Sequence, residues 1–223
     1  SKPKDEAAKE LNQKLRDKGF VYTSPIVRLR QTFNLHTNMR PCKAYKGNPL
    51  NYRDDIDIIV FRENTQCLYS GVEFSPVPKI VFDALMTHPK MKQFEKVPLD
   101  EIAISTRIFT RDACRRIITQ GFNYAKKFKR KTVTIVEKPN VIRETSGMMI
   151  REARDIAKKY PGIELWETNI DAMCMWLVKN PQNYDVLVSS NMFGDIISDL
   201  CAQLVGGLGF AASANIGDKF AVF

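Results

Sequence analysis

The most constraining feature of the sequence is a regular alternation of helical patterns and short apolar runs between residues 111 and 204. The helical patterns cover residues 111–128, 148–160, 170–179 and 193–204. The predicted strands cover 132–137, 163–168 and 185–189, and a short apolar run with strand character precedes them at 57–61. Strands joined by helices at this spacing are typical of a sheet with helical crossovers. The sequence therefore predicts an α/β fold.

The segments before this region have a different character. Residues 5–18 are polar and predict an exposed helix closed by Gly19, and a second helical pattern covers roughly 25–35. Residues 67–111 contain several prolines and the β-rich stretch ISTRIFT, with a possible helix at 79–86. We interpret 67–111 as an excursion from the main sheet.

Composition limits the classes of function. With 223 residues, 44% of them hydrophobic, the chain is long enough for one sizeable core. No apolar run reaches the roughly 18–20 residues of a membrane span, so we expect no membrane partner. The five cysteines are dispersed and form no CxxC pair, which indicates reduced thiols in the cytoplasm or the mitochondrial matrix.

The formal net charge of +9 has two interpretations. It predicts an anionic partner, either nucleic acid or a polycarboxylate, or it reflects lysines and arginines on solvated helices. The densest basic run, at 126–131, ends a helical pattern, where cations complement the helix dipole. Within this run Phe128 is the single aromatic residue, whereas sites for single-stranded nucleic acid interleave several aromatics. We therefore favour the solvated helix and expect no nucleic-acid partner.

Two aspartates follow the apolar run at 185–189. Asp195 and Asp199 are four residues apart, so on a helix they share one face, where like charges cost about 0.2–0.5 kcal/mol. A divalent hard cation, Mg²⁺ or Mn²⁺, would neutralise them, since carboxylate oxygens suit both ions. The alternative is helix capping and dipole complementarity, which explains Asp195 better than Asp199. The spacing alone leaves both interpretations open.

Three arginines and two proton-transfer candidates complete the set. Arg30, Arg40 and Arg62 either clamp a substrate that bears two or three carboxylates or are ordinary surface residues. Tyr69 and Lys138 have reference pKa values near ~10, so each becomes a useful acid or base only in an environment that shifts it.

These residues lie in five stretches that together carry a family resemblance. The stretches are LRQTFNLHTNMRP (29–41), IIVFRENTQCLYSGVE (58–73), RKTVTIVEKPNVIRETSG (130–147), the segment 169–209, which contains SSNMFGDIISD, and ANIGDKFAVF (214–223). From about residue 20 to the last residue, the chain resembles the β-decarboxylating dehydrogenases that act on isocitrate, 3-isopropylmalate or homoisocitrate. The stretches occur in the order of that family.

The resemblance implies how a substrate would be held. Arg30, Arg40 and Arg62 sit where the family binds the carboxylates of a small polycarboxylate substrate. Ser24 matches the serine of isocitrate-specific members, which favours isocitrate. Those members usually have an asparagine two residues later, whereas this chain has the apolar Ile26, which admits 3-isopropylmalate. The resemblance thus implies an isocitrate dehydrogenase, with 3-isopropylmalate or homoisocitrate as the alternative substrate.

The resemblance also implies the chemistry. Tyr69 matches the tyrosine that protonates the enol after loss of CO₂, Lys138 the lysine that assists removal of the hydroxyl proton, and Asn140 an asparagine beside the NAD or NADP cofactor. Three residues match the ligands of Mg²⁺ or Mn²⁺: Asp171, Asp195 and Asp199. In this family Lys138 and Asp171 come from the second subunit, so we expect a homodimer, or a higher oligomer, with shared active sites. A non-catalytic regulatory subunit of the same fold is the alternative.

The fold implied is the smaller α/β domain of the isocitrate/isopropylmalate dehydrogenase fold, at 31–66 and 112–223. Residues 67–111 would form a β-rich arm that clasps the dimer, and residues 1–30 would be a remnant of the large domain. The family's Gly-rich segment near its N-terminus and its His-Gly loop that holds the adenine nucleotide have no counterpart here. We therefore expect the chain to be a fragment that is inactive alone, with NAD and NADP both open.

Overall fold

The computed structural model describes residues 13–15, 17–19 and 25–223. Residues 13–15 and 17 are helical, and Gly19, with a φ of 81°, follows them. This agrees with the end of the polar helix predicted at 5–18, whose earlier part lies outside the described residues. Ser24, predicted to contact the substrate, also lies outside them.

Helices and strands alternate along the chain. The described α-helices are α1 (Pro25–Thr32), α2 (Lys79–Met86), α3 (Arg111–Lys127), α4 (Thr145–Ala157), α5 (Ile170–Lys179) and α6 (Asn191–Leu204). The strands are β1 (Thr37–Lys43), β2 (Asp57–Glu63), β3 (Glu73–Phe74), β4 (Ile104–Ser105), β5 (Thr132–Glu137), β6 (Glu164–Asn169), β7 (Val186–Ser189), β8 (Ala214–Ile216) and β9 (Ala221–Val222). Short 3₁₀ helices occupy Leu68–Ser70, Pro89–Phe94 and Pro181–Asn183.

Seven strands form the main sheet in the order β6-β5-β7-β2-β1-β8-β9. The first four are parallel, and the remaining pairings are antiparallel. The carboxyl ends of parallel strands meet at one edge of a sheet, so the residues that follow β2, β5, β6 and β7 are brought to the same edge. This α/β architecture with a parallel-rich sheet confirms the predicted fold class.

Each face of the sheet is covered by helices. Alternate residues of β2 point to opposite faces: Ile58 and Val60 pack towards α5 and α6, whereas Ile59 and Phe61 pack towards α3 and α4. Burial of each such side chain stabilises the fold by about 1.5–3 kcal/mol. Two-sided burial explains why β2, β5 and β7 are rich in apolar residues, whereas β6, at the edge of the sheet, is largely exposed.

The excursion at 67–111 contains less strand than the sequence predicts. The helix expected at 79–86 is α2, but the β-rich expectation was wrong in extent, because β3 and β4 pair through two residues each. Prolines explain the short ladder, since a proline has no N–H to donate to a neighbouring strand. The predicted domain boundaries and the dimer-clasping role remain predictions. None of the helices in the described ranges is long and apolar enough to cross a membrane.

Candidate functional site

Arg62, near the carboxyl end of β2, is the centre of a polar group of side chains. Its side chain is 4% exposed, and its Nε and Nη2 donate hydrogen bonds to Asn191 Oδ1 at 2.9 and 2.7 Å. Its Nη1 donates to Asp195 Oδ1. A buried guanidinium needs such partners, because an unpaired buried charge is costly. The first two turns of α6 therefore hold Arg62 in a defined position.

This contact depends on a glycine in α6. A Cβ atom added at Gly194 would lie 2.7 Å from Arg62 Cγ and 3.2 Å from Arg62 Cα. Both distances are shorter than normal carbon–carbon contact of about 3.5–4.0 Å. The helix approaches β2 this closely because residue 194 has no side chain.

Tyr69 contacts the same aspartate from the 3₁₀ helix Leu68–Ser70. Its hydroxyl donates to Asp195 Oδ2 at 2.5 Å, and the Arg62 guanidinium carbon lies 5.1 Å from the centre of its ring. Burial, followed by the hydrogen bond to Asp195, raises the pKa of Tyr69 above its ordinary value. Tyr69 is 44% exposed, so a ligand at this edge can reach its proton. Its state at neutral pH is the protonated one, as a proton donor requires.

Arg40 in β1 approaches the next turn of α6. Its Nη1 donates to Asp199 Oδ1 at 2.6 Å and to Ser198 Oγ at 2.7 Å. Its Nε is buried and has no hydrogen-bond partner among the described residues. A buried donor without a partner is uncommon in native proteins and calls for an acceptor, such as a ligand or water.

Arg30, at the end of α1, reaches the site from a third direction. Its Nε donates to Asn215 Oδ1 at 3.0 Å, and this oxygen also accepts from Asn38 and Asn64, each at 3.1 Å. Burial and then the positive charge of Arg62 lower the pKa of Arg30. The two guanidiniums therefore repel each other, and an anion between them would relieve that repulsion.

The six predicted residues that the structure brings together are called here the arginine–aspartate group: Arg30, Arg40, Arg62, Tyr69, Asp195 and Asp199. Three arginines and two aspartates leave it with one positive charge, since tyrosine is neutral. This arrangement suits a polyanionic ligand with a neutralising cation. It excludes the interpretation of the three arginines as independent surface residues.

Lys138 and Asp171 form a separate pair. Lys138 follows β5, Asp171 lies in the first turn of α5, and Lys138 Nζ donates to Asp171 Oδ1 at 2.5 Å. This hydrogen bond lowers the pKa of Asp171. Within the described ranges, no hydrogen bond or ion pair joins either side chain to the arginine–aspartate group. Asn140, also after β5, is exposed and makes no side-chain hydrogen bond with a described residue.

The three predicted metal ligands are accordingly divided. Asp195 and Asp199 share one face of α6, as their spacing predicts, whereas Asp171 does not join them. In the described part of the chain no three His, Cys, Asp or Glu residues are grouped so that they could hold a metal ion. Carboxylates are the right donors for Mg²⁺ or Mn²⁺, so the two on α6 fit such an ion if a second chain supplies a third.

Several residues that position the site carry no clear signal in the sequence. Asn191 orients Arg62, Ser198 contacts Arg40 and Asn215 contacts Arg30. Asn191 begins α6 directly before the aspartate pair, and this position is the one available hint. Asn215 lies in a short strand whose pairing with β1 is visible in the fold alone.

Comparison with known proteins shows the family of the chain. The family model described as isocitrate/isopropylmalate dehydrogenase matches residues 12–223. A 3-isopropylmalate dehydrogenase from Archaeoglobus fulgidus is 42% identical over 198 residues, which are 89% of this chain and 53% of the relative. A probable mitochondrial isocitrate dehydrogenase (NAD) subunit alpha from Drosophila melanogaster is 40% identical over 87% of this chain and 46% of its own length.

A solved structure shows the same fold. The crystal structure of isocitrate dehydrogenase from Methylococcus capsulatus superposes with a TM-score of 0.77 and 36% sequence identity. The match covers 98% of this chain and 62% of that chain. The chain thus spans about half the length of the two relatives described above.

Proposed function

The chain belongs to the isocitrate/isopropylmalate dehydrogenase family, whose members are oxidoreductases, and from that premise we propose the function of the protein that contains it. The protein oxidises and decarboxylates a 2-hydroxy polycarboxylic acid, with hydride transfer to NAD or NADP. The observation that carries this proposal is the arginine–aspartate group, in which three guanidiniums and Tyr69 surround a carboxylate pair.

The arginines support a substrate with two or three carboxylates. Arg62 is fixed by Asn191 and Asp195, so its orientation is set before a ligand arrives. Arg40 is held beside Asp199 and Ser198, and the charge of Arg30 is unfavourable until an anion binds. Bidentate binding by planar guanidiniums would orient the acid, and orientation alone removes a large part of a barrier.

The proton transfers would be made by the chain's own side chains. Tyr69, kept protonated by its raised pKa, would donate its proton to the carbon that loses CO₂. Lys138 would assist removal of the proton from the 2-hydroxyl. A Mg²⁺ or Mn²⁺ ion held by Asp195, Asp199 and Asp171 of the partner subunit would supply a Lewis acid for the hydroxyl and carboxylate oxygens. The nicotinamide, beside which Asn140 would lie, would supply the hydride acceptor.

The separation of the two groups supports shared sites in a homodimer. Lys138 and Asp171 pair with each other and not with the arginine–aspartate group of their own chain. On α5 the apolar Met175 and Val178 are exposed on turns that follow Asp171, and Ile196 on the neighbouring α6 is 48% exposed. If these side chains form one contiguous patch in the assembled protein, a partner subunit would bury it. A two-fold axis there would produce two identical composite sites from one contact.

Isocitrate is the preferred substrate in this proposal because Ser24 matches isocitrate-specific members. 3-Isopropylmalate and homoisocitrate remain the alternatives, because Ile26, exposed in α1, presents an apolar side chain on the same segment. A regulatory subunit is disfavoured, since Tyr69, Lys138 and all three candidate metal ligands are present. The five cysteines are free thiols, which supports a reducing compartment such as the cytoplasm or the mitochondrial matrix.

Steady-state assays of the intact protein test the reaction and the substrate together. Isocitrate, homoisocitrate and 3-isopropylmalate are each supplied with NAD and with NADP in the presence of Mg²⁺. We expect turnover with CO₂ release, highest for isocitrate. Absence of turnover with all three acids and both cofactors would refute the proposed reaction.

Complementation tests the shared site. Lys138→Ala and Asp195→Ala chains are expected to be inactive as homodimers. In a mixed dimer one site receives both damaged residues, whereas the other receives intact Asp195 and intact Lys138. Purified heterodimers should therefore recover up to about half of the activity of the unsubstituted dimer by this symmetry count. If the heterodimers stay as inactive as the two single-variant homodimers, both residues act in the same chain's site.

A further inference from the structure

A fully buried carboxylate lies between the two separated groups of the candidate site. Glu137, the last residue of β5, has no solvent exposure and directly precedes Lys138. A carboxylate in such a place is costly unless its oxygens are paired. Its partners come from three other segments of the chain, and they show what the residue holds together.

One carboxylate oxygen fixes the start of α6. The backbone N–H of Ser190 donates to Glu137 Oε1 at 3.0 Å, and Ser190 is the residue before the helix that carries Asp195 and Asp199. The carbonyl of Ser190 in turn accepts the N–H of Gly194 at 2.7 Å, in the first turn. A negative charge at a helix N-terminus is also favourable to the helix dipole.

The other oxygen fixes the backbone of Lys138. Glu137 Oε2 accepts from Ser146 Oγ at 2.6 Å, and Ser146 Oγ accepts the N–H of Lys138 at 3.3 Å. Arg107 closes the network: its Nη2 donates to Glu137 Oε2 at 3.0 Å and to Ser190 Oγ at 2.9 Å, and its Nη1 donates to Ser146 Oγ at 3.0 Å. Both carboxylate oxygens of Glu137 therefore accept hydrogen bonds: Oε1 from the Ser190 N–H, and Oε2 from Ser146 and Arg107.

We propose that Glu137 is a positioning residue that links the arginine–aspartate group to Lys138 within one chain. The inference rests on the proposed function, under which those two groups serve different active sites of a dimer. Glu137 then connects the two active sites: the start of α6 belongs to one of them and Lys138 to the other. Displacement of a catalytic side chain by about 1 Å is enough to lower the rate of the chemical step by roughly a hundredfold.

The complementation pair provides a test that reads the two groups separately. In a heterodimer of a Lys138→Ala chain with an Asp195→Ala chain, the working site takes Asp195 from the first chain and Lys138 from the second. Glu137→Gln is added to the second chain to report on Lys138, or to the first chain to report on α6. A glutamine side chain has one acceptor oxygen, so it cannot accept hydrogen bonds both from the Ser190 N–H and from Ser146 and Arg107.

We expect Glu137→Gln to lower kcat at least tenfold in either chain, relative to the reference heterodimer. Ser146→Ala removes the side chain that joins Glu137 Oε2 to the Lys138 backbone and leaves the hydrogen bond from the Ser190 N–H to Glu137 Oε1 in place, so it should lower kcat more when it is on the Lys138-supplying chain than when it is on the other. A general loss of folding would not produce this selectivity. Thermal unfolding of each heterodimer is measured alongside, and Ser146→Ala alone decides the test if the glutamine variant does not fold.

Each outcome has a separate meaning. Reference activity with Glu137→Gln on either chain, or an equal loss with Ser146→Ala on both chains, would overturn the linking role while the shared site stands. An inactive reference heterodimer would instead overturn the shared site, and the linking role with it.

Discussion

Replacement of Gly194 by alanine separates the role of Arg62 from the stability of the fold. The added Cβ would lie 2.7 Å from Arg62 Cγ and 2.8 Å from Arg62 Cβ, so either α6 or the arginine must move. Overpacking of this kind costs about 1–3 kcal/mol, and alanine in a helix interior returns about 1 kcal/mol relative to glycine. The net loss of unfolding free energy is therefore about 0–2 kcal/mol.

The effect on substrate binding should exceed the effect on stability. If Arg62 binds a carboxylate, loss of its geometry removes a charge-assisted hydrogen bond that contributes about 1.5–3 kcal/mol. With a tenfold change for each 1.4 kcal/mol, substrate binding weakens roughly ten- to a hundredfold. The assay is the KM and kcat of the intact protein, with thermal unfolding of the same preparations.

Two other helical glycines serve as matched controls. At Gly121 in α3 an added Cβ would lie 2.4 Å from Val188 Cγ2 in the core, so Gly121→Ala should lower stability and spare KM. At Gly147 in α4 the nearest atom is the flexible end of Arg151 at 3.1 Å, so Gly147→Ala should leave KM unchanged and should not lower stability. Should Gly194→Ala keep the parent KM, or change KM no more than Gly121→Ala does, the reasoning about Arg62 is refuted.

Three further predictions concern the intact protein. Tyr69→Phe should lose roughly 10²–10⁴-fold in the overall reaction while part of the reduction of a 2-keto intermediate remains, and an unchanged turnover would remove Tyr69 as the proton donor. Removal of divalent ions with EDTA should abolish turnover and added Mg²⁺ or Mn²⁺ should restore it, because the ion proposed to be held by Asp195 and Asp199 would supply the Lewis acid for the 2-hydroxyl; full activity in metal-free buffer would contradict this. Burial lowers the pKa of His36, so its contribution to stability is present above about pH 6.5 and is lost as the pH falls further. His36→Asn should flatten the acid limb of the unfolding curve and the exposed His88→Asn should not; equal acid limbs in both variants would count against His36.

The parallel half of the fold was predictable from the sequence because its signals are local. Strands buried on both faces need continuous apolar runs, and the helices between them need one apolar stripe, so both are visible in a short window. The antiparallel half lacks such signals. β1 reads TNMRPCK, in which the proline and the polar residues argue against a strand. Pairing with β8 covers Thr37–Met39 alone, so Pro41 lies where that neighbour needs no ladder donor.

The candidate site was predictable in the same uneven way. The shared helical face of Asp195 and Asp199 follows from their spacing, which is local information. The meeting of Arg30, Arg40 and Arg62 does not, because it depends on the position of β1 beside β2 and on the contact of α1 with β8. Residue type and spacing are compatible both with substrate-binding arginines and with ordinary surface arginines. The family resemblance is what implies that the three bind substrate.

Glu137 shows the remaining gap most clearly. It ends the strand TVTIVE, all six residues of which are buried in the structure. A buried carboxylate requires partners, yet the sequence does not say which of its 34 basic residues supplies the charge. The answer is Arg107, from the segment whose strand content the sequence overstated. Its guanidinium also stacks 4.5 Å from the Phe109 ring and 4.8 Å from the Phe193 ring, beside the start of α6. The excursion at 67–111 therefore contributes the positive charge that pairs with Glu137 between β5 and the start of α6.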